Sequence, residues 1–96
     1  MRYSVRHITI EGARRALNLD ASKTSREAIE AIVNKRGLEA HAALEEARET
    51  EDFEDAASAS WHAVALQHKP DTFDIFGYVF DETGNMIDAF DWEPLN

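Results

Sequence analysis

The apolar residues of this chain change period at Pro70. From Thr24 to His68 they recur at spacings of three and four, and from Phe73 to Trp92 they alternate. Those are the periods of a helical face and of a strand, so a helical block must pack beside a late pair of strands. The class this predicts is α+β, with helices on one face of an antiparallel sheet.

Thr24 followed by Glu27 reads as a capping box, and Ile29, Ile32 and Val33 form the stripe that follows it. Lys35-Arg36-Gly37 closes the helix with cations at its negative end and a glycine free to take positive φ. Leu38 is then placed to fold back on Val33. A helix over 25–36 is predicted, then a second over 39–49 with Ala40, Ala43, Leu44 and Ala47 on one face. A third is capped by Asp52 and carries Phe53, Ala56, Ala57, Ser60, Trp61, Val64 and His68 on its inner face. Ala59, His62 and Leu66 fall on the other side of it. Pro70 disfavours helical geometry at Lys69 and ends the block.

At the start, Tyr3 to Ile10 is rich in β-formers, with a slip in alternation that a bulge near Arg6-His7 would absorb. Residues 13–19 alternate after Glu11-Gly12, which predicts a second strand and a hairpin; the competing reading is a short helix through Ala13–Leu17. At the other end Phe73–Phe80 and Met86–Trp92 make a hairpin around Asp81-Glu82-Thr83-Gly84-Asn85. The order is therefore ββ-ααα-ββ, a sheet of two hairpins in a single domain over 1–96. Ninety-six residues suffice for one core without staples.

No motif names a chemistry. The chain has no cysteine, which removes disulfides and thiolate metal sites and fits a reducing compartment. No signal peptide or apolar run of membrane-spanning length is present, so a cytoplasmic location is expected. His62 and His68, six residues apart, are separated by about 240° around a helix and cannot share a face. Ser58, Ser60 and Thr72 lack a nucleophile-elbow context, and the glycines are isolated. The expectation is a non-enzymatic protein with no cofactor, no metal site and no catalytic residues.

Charge is the stronger lead. Residues 1–38 carry eight basic and four acidic side chains, and residues 39–96 carry two basic and fifteen acidic ones, for a net charge of −9. From Glu45 to Asp55 there are seven carboxylates and one arginine. Read as largely helical, that run spans about 16 Å, over which one DNA strand carries about five phosphates. Its acids (Glu45, Glu46, Glu49, Glu51, Asp52, Glu54 and Asp55) are candidate partner-binding residues. Phe76, Tyr78 and Phe80 point away from Phe73, Ile75 and Val79, so an aromatic sheet face is expected opposite the helices. Tyr78 and Trp92 are the candidate anchors on the hairpin.

Two resemblances carry different functional expectations. The stretch Arg6-His7-Ile8-Thr9-Ile10, with Lys23-Thr24-Ser25-Arg26-Glu27-Ala28 opening a helix, resembles a ribbon-helix-helix antitoxin. That likeness implies a dimer whose strand pair enters the DNA major groove through Arg6, with the acidic half binding a toxin. In composition the whole chain resembles the small acidic inhibitors of phages and mobile elements, anti-CRISPR proteins among them. This second likeness implies a monomer or homodimer that occupies a basic, nucleic-acid-binding protein surface, as a DNA mimic, without itself binding nucleic acid or membrane. It is the leading expectation.

Overall fold

A computed structural model describes residues 1–20 and 24–92, with side chains through Ala89. The described residues form β1 (Arg2–Thr9), α1 (Ile10–Ala16), α2 (Arg26–Arg36), α3 (Leu38–Ala47), β2 (Glu49–Phe53), α4 (Ala56–Gln67), β3 (Thr72–Phe80) and β4 (Met86–Trp92). The class is α+β, with four antiparallel strands in the order β2-β1-β3-β4. β2 and β3 flank β1 and are joined by α4, which crosses one face of the sheet.

The first hairpin is replaced by a strand and a helix. Thr9 caps α1, its hydroxyl accepting from the Gly12 N–H at 3.0 Å. Ala13 and Leu17 are four residues apart, a spacing that satisfies alternation and the helical period alike, and both are buried beside Ile8. The bulge lies at Ile8/Thr9 rather than at Arg6-His7.

α2 begins one residue later than its capping box predicted. Ser25 is the cap and accepts from the Ala28 N–H at 3.2 Å, while the Thr24 hydroxyl donates to the Asp20 carbonyl. Gly37 closes α2 at φ 64°, ψ −130°, its N–H bonded to the Val33 carbonyl at 2.9 Å. Leu38 starts α3 and is exposed, so it does not fold back on Val33.

The largest departure is β2, which replaces the acidic helix. Glu45/Glu49 and Glu51/Asp55 are like charges four apart, and Glu46/Glu49, Glu51/Glu54 and Asp52/Asp55 are like charges three apart. Each pair weakens a helix by a few tenths of a kcal/mol. In the extended form Glu49, Glu51 and Phe53 instead pair with His7, Val5 and Tyr3. Asp55, not Asp52, then caps α4.

This change also turns α4 over. With Phe53 in a strand, the helix buries Ala59, Ala63 and Leu66 against Val5 and Ile75, and leaves Trp61 and Val64 outside. The second core gathers α1, α2 and α3 around Ile8, Leu17, Ile29, Leu44 and Phe73 at one end of the sheet.

Candidate interaction surfaces

Three arginines of the basic half donate to backbone carbonyls of the fold. Arg26, at the start of α2, donates to the Thr72 and Phe73 carbonyls, the latter at 2.8 Å, and lies over the Phe73 ring. Arg14 donates to the Thr24 carbonyl at 2.7 Å, and Arg36 to the Leu17 carbonyl at 3.0 Å. These bonds tie α2 to the start of β3, and α1 and α2 to a loop and a helix end. What they leave outside is weighted toward acids.

The sheet face opposite α4 carries the expected aromatics, but each lies beneath an arginine. Arg2 stands 5.4 Å from the Phe80 ring centre, Arg6 4.7 Å from that of Tyr78, and Arg48 3.9 Å from that of Phe76. All three rings are half-buried, so Tyr78 is not a free anchor. The signal for this layer was the strand parity. Arg2, Ser4 and Arg6 share one face of β1, and β3 places Phe80, Tyr78 and Phe76 beside them.

The acidic candidates separate by role. Glu45 is held between Arg6, at 2.9 Å, and Arg48, which makes it structural. Asp55 accepts from the Ser58 N–H at 2.8 Å and from its hydroxyl at 2.9 Å. The backbone bond first, then the hydroxyl, hold its carboxyl below the ordinary aspartate range. Glu54 lines a shallow surface depression with Arg2, Asp81 and Glu82. Glu46, Glu49, Glu51 and Asp52 are exposed.

β2 has β1 on one side and, among the described residues, no strand on the other. Its Glu49 and Glu51 project toward the α4 side, and Glu49 lies 3.1 Å from the His7 imidazole. Asp52 projects to the other face, in one cross-strand row with Ser4 and Tyr78. From Glu49 to Asp52 an extended chain covers about 10 Å, over which one strand of DNA carries about three phosphates. Three carboxylates over that length match that density. The backbone of Trp92 pairs with Ile75, while its side chain lies outside the described residues.

β1 is paired along both edges, so it has no free edge for the strand pairing that a ribbon-helix-helix dimer uses. The His7 and His62 rings meet edge to face at 6.4 Å beneath α4, with Phe53 5.2 Å from His62. Among the described residues no three His, Asp or Glu side chains converge on a point that could hold a metal ion. No helix among them is long and apolar enough to cross a membrane. No protein-family profile matches this chain, and no curated protein or solved structure matches it.

Proposed function

We propose that this protein is a small acidic, non-enzymatic inhibitor that occupies a basic, nucleic-acid-binding surface of another protein. The observation that carries the reading is β2: an edge strand with three exposed acids over about 10 Å, a linear charge density close to that of one nucleic-acid strand. Charged side chains are common protectors of sheet edges. Here the edge belongs to a chain of net charge −9, in which Arg6, Arg26 and Arg48 are engaged with carbonyls, carboxylates and rings, so the field around the edge is negative beyond what edge protection needs. Such a field accelerates encounter with a basic partner more than it deepens the final affinity.

The test is affinity capture with the intact chain, followed by association kinetics on the captured protein. The reading expects a nucleic-acid-binding partner that is released by salt and displaced by duplex DNA. Neutralising Glu46, Glu49, Glu51 and Asp52 should slow association about tenfold at low salt and flatten its salt dependence. Rates that ignore both salt and these substitutions would remove the mimicry. Sequence-specific DNA binding by the chain alone, in a gel shift, would favour an antitoxin-like regulator instead.

A further inference from the structure

α4 is apolar on both sides. Its inner face, Ala59, Ala63 and Leu66, is buried on the sheet. Its outer face carries Ala57, Trp61, Val64 and His68 at successive spacings of four, three and four, a second complete helical stripe. Trp61 is 74% exposed and Val64 36%. From Ala56 to Gln67 there is no Asp, Glu, Lys or Arg, in a chain where such residues make up 30%. A surface helix normally pairs its apolar stripe with a charged one, and a helix apolar all round belongs in an interior. Large exposed aromatics of this kind act as interface anchors.

The charges at the two ends of α4 select the occupant. Glu54 and Asp55 precede the helix and His68 and Lys69 follow it. Trp61 lies at its midpoint. An antiparallel pair of α4 helices about a two-fold axis at Trp61 would stack the two indoles at the centre. It would set the acidic end of each helix against the basic end of the other and oppose the two helix dipoles. For two chains of charge −9 this uncharged helix is also the contact with least like-charge repulsion, and it leaves the acidic edge of β2 open. We infer that the outer face of α4 is a homodimer interface, with a second copy of this chain as its occupant. The inference is independent of the proposed inhibitor role.

A single 12-residue helix is about 18 Å long, so the interface is small beside the usual ~800 Å² per partner. A weak dimer follows, with a dissociation constant of about 10–100 µM. Sedimentation equilibrium of the full chain from about 5 to about 500 µM brackets that value. The average mass should rise toward twice the monomer across this range. Trp61→Lys should remain at monomer mass with unchanged circular dichroism and melting temperature; if it does not fold, Ala57→Arg on the same stripe serves in its place. Lys69→Glu should weaken the dimer about three- to tenfold, and adding Glu54→Lys should recover it, because the swap restores both end contacts. A wild type that stays monomeric throughout overturns the inference, including the case in which a different protein uses this face. So does a Trp61→Lys chain that dimerises like the wild type, or a charge swap that fails to recover what Lys69→Glu loses.

Discussion

The Arg48 guanidinium lies 3.9 Å from the centre of the Phe76 ring while Nη2 donates to Asp74 at 3.2 Å and Nη1 to Glu45. Arg48 stands between the end of α3 and the start of β2, and its side chain is 7% exposed. One residue thereby fastens the helical end of the molecule to a central strand. It also neutralises Glu45, the acid that would otherwise begin the acidic surface.

Arg48→Ala should lower stability by about 2–4 kcal/mol, because Asp74 and Glu45 each lose an ion pair, Glu45 keeping Arg6, and a ring loses its cover. The loss starts below the ~3–5 kcal/mol of fully buried pairs because Glu45 and Asp74 remain partly exposed. Arg48→Lys keeps the charge but not the planar fork, and should recover less than half. Urea unfolding at neutral pH measures both. A loss under about 1 kcal/mol for Arg48→Ala would reduce this cluster to an ordinary surface salt bridge.

Gly37 joins α2 to α3 at φ 64°, ψ −130°. A Cβ built there meets nothing within 4 Å, so the penalty for a side chain is one of backbone conformation alone. Gly37→Ala should cost about 1–3 kcal/mol in a denaturant melt with no change in the sheet. A neutral result would mean that the helix junction relaxes to negative φ without disturbing the packing of α2 on α3.

The sequence revealed those elements whose periods were unambiguous. α2 and the β3–β4 hairpin follow from Ile29/Ile32/Val33, from the alternation through Phe80, and from Gly84 in the loop, where φ is 87°. α1 was ambiguous because Ala13 and Leu17 fit either period. β2 was hidden by composition: its acids are poor strand formers, and only the crowding of like charges at helical spacing argued against a helix. The inner face of α4 is hard to read from sequence because Trp61 and Val64 outweigh the residues actually buried, Ala59, Ala63 and Leu66. Among the candidate acids, Glu45 is set apart by its ion pairs to Arg6 and Arg48. That role depends on contacts 39 and 3 residues away, the first of which no local pattern carries.

Asp55 couples α4 to pH. Its carboxyl is held below the ordinary range by the bonds from Ser58, and Asp81 is likewise lowered, first by the Thr83 hydroxyl and then by the Asn85 backbone. In both cases the unfolded chain binds the proton more readily, so stability is present at neutral pH and falls as the pH drops through the folded values. Melting temperature should therefore decline below about pH 4, the usual carboxylate range. Asp55→Asn keeps a capping oxygen without the charge and should make that decline shallower; Asp55→Ala should lower stability at neutral pH as well. An unchanged acid profile in Asp55→Asn would show that the cap contributes nothing to it.

The acids can be divided by stability before any partner is known. Glu46, near the end of α3, and Glu51 and Asp52, on the two faces of β2, are exposed in a chain of net charge −9. Replacing each with its amide relieves like-charge repulsion and should change stability by no more than about 0.5 kcal/mol, or raise it slightly. Glu45→Gln removes a carboxylate shared by Arg6 and Arg48 and should cost about 1–2 kcal/mol. Chemical denaturation of the four single variants gives the comparison. If the edge acids proved as costly to replace as Glu45, their charge would be holding the fold, and the field they project would be a by-product. If they are free to replace, the fold does not depend on these three carboxylates, and their charge is left available to an approaching partner.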